Sequence, residues 1–242
     1  YIGSGDLFAQ EPEEFIQSVD GYIGMHGTTS GVVVKDGYAF ISRKSRNIFM
    51  LGGEGLKNLT DIGMSYWARE NIPFILEEYG YVFDQPDRLS YPDSPSEYFG
   101  FHITYDPLFR RIIVTKKEQV PTELFLTFWN TDRIFIEEGT NQYYTNVIGA
   151  GGELRRYDIN LDDPQFFTKG GWTISYSLDQ DVWASRHSYL PKVYGFNSRY
   201  MYSMPGITLD PNSLTTSTIF EHSDMENPCS FYSLTGSGYY PA

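Results

Sequence analysis

The chain has 242 residues, with 18 basic against 31 acidic side chains and a formal net charge of −13. That balance argues against a duplex-binding surface, which needs excess positive charge, while the length suffices for a substantial core. The single cysteine, Cys229, excludes an internal disulfide framework and a paired-cysteine metal site, and no apolar run approaches the ~18 residues of a membrane-spanning helix.

In chain order, residues 1–20 are polar and acidic and read as a lead-in or linker. Gly21–Met25 and Gly31–Val34 read as short strands. Gly37–Leu51 (GYAFISRKSRNIFML) is a hairpin turning at Arg43–Arg46. From Leu56 the pattern changes: Leu59, Ile62, Gly63, Tyr66 and Trp67 recur at helical steps, and Pro73 permits a second helical start. This predicts a short helical insertion over about residues 56–79. Asp84–Glu97, with three prolines and four acids, is a loop.

Gly100–Lys116 (GFHITYDPLFRRIIVTK) is a second hairpin, turning at Asp106-Pro107. Leu124–Phe128 and Arg133–Glu137 are strand candidates. Asn141–Gly152 holds a tyrosine pair and three glycines, and Asp158–Asp163 reads as an acidic loop. Gly171–Tyr189 (GWTISYSLDQDVWASRHSY) is a third hairpin, turning at Asp179–Asp181. Pro191–Ser198 connects to strands at Arg199–Met204, Thr215–Glu221 and Cys229–Leu234. Residues 236–242 form a glycine-rich tail.

The three hairpins start at Gly37, Gly100 and Gly171, a period of about 60 to 70 residues. That spacing suits a propeller blade carrying insertions. The expectation is a mainly β fold of antiparallel hairpin repeats over residues 21–235, propeller-like, with the one helical insertion. The 20 Tyr, 17 Phe and 4 Trp fit cross-strand aromatic pairing, and equally a surface covered by neighbours in an assembly.

The third hairpin carries Trp172-Thr173-Ile174-Ser175-Tyr176-Ser177, then Trp183-Ala184-Ser185, then His187-Ser188-Tyr189-Leu190-Pro191, then Tyr194. With Phe220-Glu221-His222, Asp6-Leu7-Phe8, Gly21–Gly24, Gly37–Phe40 and Gly100–Lys116, this order resembles crAss-like bacteriophage structural proteins of the tail nozzle, muzzle or stabilisation type. The likeness spans most of Asp6–His222. It departs from the pattern at Met25-His26 and in ending soon after His222, so the chain reads as a fragment of a longer polypeptide. The resemblance implies a virion tail component of a short-tailed phage, made in the host cytoplasm. It would self-associate in a ring, meet other tail and ring proteins, and let DNA pass without specific binding. It carries no catalytic residues. Trp172, Tyr176, Trp183, His187, Tyr189, Pro191 and Tyr194 stand as assembly or packing candidates. An acidic wall also suits DNA passage, because it repels the phosphate backbone.

Rival chemistry is thin. His187, His222 and Cys229 match no zinc spacing. Asp158-x-Asn160-x-Asp162 opens like a calcium loop but has Asp163 in place of glycine and Lys169 in place of the closing glutamate, and Ile159 and Leu161 alternate with the acids equally like a strand edge. Ser185 with His187, and Ser223 beside His222, lack a nucleophile elbow. Glu77/Glu78 and Glu137/Glu138 match glycosidase acids in type, but the sequence places no pair across a cleft. Gly149-x-Gly151-Gly152 lacks the phosphate-loop lysine. Arg43–Arg46, Arg110-Arg111 and Arg155-Arg156 read as basic turns, either solvated or docking acidic partners. No enzyme activity and no cofactor or metal are expected. The alternative function is a carbohydrate- or receptor-binding β module.

Overall fold

The computed structural model describes residues 23–25, 27–61, 63–82, 99–137, 139–204 and 219–222. The lead-in, the loop Asp84–Glu97, the strand Cys229–Leu234, the glycine-rich tail, Ser223 and Cys229 lie outside the described residues. The described residues form a mixed α/β fold with four separate antiparallel sheets, none closed into a barrel or propeller.

The first sheet is a meander of β1 (Gly31–Val34), β2 (Gly37–Ser42), β3 (Asn47–Gly52) and β4 (Gly55–Asn58). Helix α1 (Ser65–Asn71) follows, then a 3-10 helix (Ile75–Tyr79). The helical region is therefore shorter than the sequence predicts, because Gly55–Asn58 pairs with β3 instead. Pro73 separates the two helical pieces because it has no backbone N–H to carry the ladder of α1 onward, while Ile72 before it keeps a helical backbone.

The central sheet has the order β11–β10–β6–β5, from β5 (Gly100–Asp106), β6 (Arg111–Pro121), β10 (Phe167–Ser177) and β11 (Val182–His187). This overturns the propeller expectation. The second and third hairpins are not separate blades. They are zipped together through β6 and β10, from Phe167 opposite Pro121 to Ser177 opposite Arg111. A blade must keep its hairpins within its own sheet, so the 60–70-residue spacing joins two halves of one sheet.

A third sheet holds β7 (Ile134–Glu137), β8 (Gln142–Ile148) and β9 (Leu154–Ile159). The fourth holds β12 (Val193–Phe196), β13 (Met201–Met204) and β14 (Phe220–Glu221). Glu123–Asn130 is helix α2, not the strand expected at Leu124–Phe128. Thr122 caps it by accepting from the Phe125 backbone N–H at 3.3 Å. Phe125, Phe128 and Trp129 fall at helical spacing, and Phe125 is fully buried. Ile23–Met25 is not a strand.

The hairpins share a backbone design. In the three repeats and in the β7–β8 hairpin the turn is four residues long and closes on a non-glycine residue with positive φ: Arg46 (55°), Arg110 (47°), Asp181 (58°) and Asn141 (52°). Each repeat also opens on a glycine of positive φ. Gly37 (151°) and Gly171 (148°) have no room for a side chain. A Cβ would lie 2.2 Å from the Leu51 carbonyl oxygen at the first and 2.1 Å from that of Lys116 at the second.

One large apolar core joins the first sheet, the helices, the β7–β9 sheet and one face of the central sheet. Buried Lys116 ties β6 to the helical segment, donating to the Pro73 carbonyl at 2.6 Å and to Glu118 at 2.8 Å. Among the described residues no helix is long and apolar enough to cross a membrane.

Candidate functional site

The aromatic block singled out in the sequence divides between the two faces of the central sheet. Trp172, Tyr176 and Trp183 turn toward the large core. The Trp172 ring meets Trp67 of α1 edge-on at 4.8 Å, and its indole N–H donates to the Asn71 carbonyl at 3.2 Å. Trp183 packs on Tyr176 at 5.2 Å and donates to the Leu59 carbonyl at 2.9 Å. The Tyr176 hydroxyl donates to Asp181, which also pairs with Lys57. These contacts fasten the central sheet to the first sheet and α1.

His187, Tyr189 and Tyr194 belong to the opposite side, where Tyr189 and Tyr194 are buried and His187 is half-buried; Pro191 is buried in the connection from β11 to β12. The Tyr189 carbonyl accepts from the Thr173 hydroxyl at 2.7 Å, and the Tyr194 hydroxyl pairs with Thr115 at 2.8 Å.

Alternation along the strands makes this second face polar. Cross-strand register places His102, Thr115, Thr173 and His187 in one row, and Asp106, Arg111 and Ser177 in another. Sheet β12–β13–β14 covers it with Tyr194, Met201, Ser203 and His222. Three of the chain's four histidines meet in this layer. His222 Nε2 lies 2.6 Å from the Ser203 hydroxyl. His102 Nδ1 and His187 Nε2 have no hydrogen-bond partner among the described residues. Buried Asp106 pairs with Arg111 at 2.7 Å and accepts from the Leu108 and Phe109 backbone N–H groups.

Burial depresses all three histidines to about 4. Lys117 adds to the effect at His102, and Arg111 at His187. At His222 the Asp106 carboxylate opposes burial, while His187 and Arg111 reinforce it. Burial, then Lys192 and Lys169, brings Lys117 down to about 7. The layer is therefore neutral at its histidines near pH 7, which lets it sit between two sheets.

The other sequence candidates do not converge. Glu77 pairs with Arg43 at 2.7 Å, and Glu137 with Arg156 at 3.0 Å. Ser185 bonds Ser175 at 3.2 Å. Among the described residues no group of three His, Cys, Asp or Glu side chains is close enough to hold a metal. Asp158 and Ile159 lie in β9, not in a loop. Two open concavities flank the layer. One, of about 420 Å³, is lined by Val193, Tyr194, Tyr202, Met204 and Ile219. The other, of about 400 Å³, lies beside Gly171, Arg186 and His187.

Arg43, Arg110 and Arg111 of the basic turns are paired inside the chain, while Lys44 and Arg46 are exposed at the tip of the first hairpin. Arg110 bridges Asp36 at 3.0 Å and Asp179 at 2.8 Å, joining the β1–β2 turn to the turn of the third hairpin. Arg155-Arg156 is not a turn but part of β9. Sequence reasoning missed this strand, although Gly151-Gly152 marks the bend that precedes it. β7 pairs only as far as Thr145, so the outer half of the β8–β9 hairpin stands as a two-stranded ribbon. Ile148 is 75% exposed on it and Leu154 73%. Arg156 bonds Glu137 and Asp158, which raises its basicity further, and stacks over Tyr144 at 4.2 Å.

Comparison of the chain with protein-family models, with curated proteins and with solved structures finds no match.

Proposed function

We propose that this chain is a structural, self-assembling subunit of a short-tailed phage's tail, placed in the nozzle or muzzle around the DNA channel. The observation that carries the assembly part is the β8–β9 ribbon. Two strands alone are marginal in water, and this pair holds Ile148 and Leu154 in solvent. Exposed apolar side chains on a projecting element are a contact surface awaiting cover. The tail assignment rests on the sequence resemblance. The charge of −13 supports it, since DNA sliding past an acidic wall is not retained.

A glycan-binding role would draw on exposed indoles. Trp172 and Trp183 instead commit their N–H groups to Asn71 and Leu59. Electron microscopy of the parent particle tests the proposal. Density for the Trp172–Pro191 block in a symmetric ring about an axial channel is the expected result. A peripheral, isolated position overturns the channel role.

A further inference from the structure

Strand β9 lies at the rim of its sheet, with β8 on one side only. Leu154 through Asp158 are all exposed. An edge strand carries a row of unpaired backbone groups, and the hairpin shows which ones. The Gly149 N–H donates to the Glu153 carbonyl at 2.8 Å, and bonded pairs recur at every second residue of an antiparallel ladder. Arg155, Tyr157 and Ile159 thus direct their backbone groups at β8. Leu154, Arg156 and Asp158 direct theirs outward.

We propose that β9 pairs antiparallel with β9 of a second copy of this chain, about a two-fold axis at Tyr157, joining two three-stranded sheets into one. This rests on the self-assembly reading above and names a contact for it, the β9 edge next to the exposed Ile148 and Leu154. Opposed residues of such a pair must share a face, so the axis must pass through a residue position. The charges then select the position. An axis at Arg155 or Arg156 sets that arginine against itself, an axis at Asp158 opposes two carboxylates, and an axis at Leu154 or Ile159 would lay most of β9 against residues outside the strand, the 149–153 turn or those after Ile159. With the axis at Tyr157, Arg156 faces Asp158 of the second copy, twice over by symmetry, and the two Tyr157 rings meet at the centre. Cross-strand opposite charges stabilise a sheet and like charges destabilise it. The same side chains that guard this edge in other registers therefore admit one. The outward backbone groups of Arg156 and Asp158 become a hydrogen-bonded pair in that register, and Tyr157 a non-bonded one. A two-fold contact closes at two copies, so a ring built with it consists of two layers related by these axes.

Charge exchange tests the pairing. The full chain is compared with Arg156→Asp and Asp158→Arg variants by light scattering over a concentration series, with circular dichroism as a folding control. The parent is expected to form dimers, each variant alone to remain monomeric, and an equimolar mixture of the two variants to dimerise again. Recovery on mixing cannot come from a folding defect. In a Cys229→Ser background, Tyr157→Cys is expected to give a disulfide-linked dimer on mild oxidation, because a directly opposed non-bonded pair brings Cα atoms to about 4.5 Å. Arg155→Cys gives none. If the variants associate as the parent does, or the mixture stays monomeric, the β9 contact is overturned and self-assembly through another surface stands. A parent chain that stays monomeric at high micromolar concentration overturns both.

Discussion

On the side facing α1, strands β5, β6 and β10 present Phe101, Ile103, Ile112, Val114, Trp172, Ile174 and Tyr176. On the other side the same strands present His102, Thr104, Asp106, Thr115, Lys117, Thr173 and Ser175. Both faces are covered, but by different physics. The apolar face gains from area removed from water and tolerates any good fit. The polar face gains little net from each hydrogen bond and loses heavily when one is left unmade. The first face supplies stability. The second dictates where the β12–β14 sheet can sit, since Tyr194 must reach Thr115 and Thr173 must reach the Tyr189 carbonyl.

Acid breaks this symmetry most strongly. The three layer histidines titrate at about 4 when folded against 6.5 for the free side chain. The unfolded chain therefore binds protons first, and stability that is complete above pH 6.5 is lost as pH falls toward 4. The loss is about 1.4 kcal/mol per pH unit for each histidine. Urea midpoints at pH 7, 6 and 5 are expected to fall steeply, and His102→Gln to flatten the slope by roughly a third of the histidine contribution. The apolar face has no such dependence.

On that apolar face Trp172→Ala costs about 3–5 kcal/mol, through lost burial and the cavity left beside Trp67. Denaturant titration at pH 7 measures it. Asp106→Ala, on the polar face, costs about 3 kcal/mol by stranding Arg111 and two turn N–H groups. Asp106→Asn keeps the turn bonds and is expected to cost less.

Gly171→Ala strikes both faces at once, because its φ of 148° and the Lys116 carbonyl forbid a Cβ. A loss of about 2 kcal/mol is expected, seen as a lower thermal midpoint. The smallest effect sharpens the comparison. Thr173→Val alone costs about 1–2 kcal/mol, but with Thr115→Val the pair costs less than the sum of the single changes. A double-mutant cycle that comes out additive would show that the Thr115–Thr173 bond, 2.9 Å long, does not couple the layer.

The hairpins were legible because their causes are local. Alternation in GWTISYS and GFHITYD, a polar residue at each strand end and a four-residue turn act within about fifteen residues. Helix α2 was not, because Leu124–Phe128 is aromatic enough to pass for a strand and its decisive signal is the Thr122 cap. His187 and His222 were considered together, but His102 could not be joined to them, since it stands far away in the chain on β5. The β9 edge was hidden behind two arginines that resemble a turn.

The amino-acid order alone sufficed for the three hairpins and for the glycines that open each repeat, but it read Trp172 to Tyr194 as one aromatic block that the structure divides between two faces. It carried no information on what would cover the polar face. Alternation marks Thr173, Ser175 and His102 as facing away from the core, which in isolation means water. The pairing of β6 with β10, and the closure of β12–β14 over that face, join segments far apart in the chain. Such contacts are chosen by the free energy of the whole packing, once burial repays the entropy of closing long loops. Local pattern therefore wrote the hairpins, and long-range burial made one sheet of two of them, where repetition suggested separate blades.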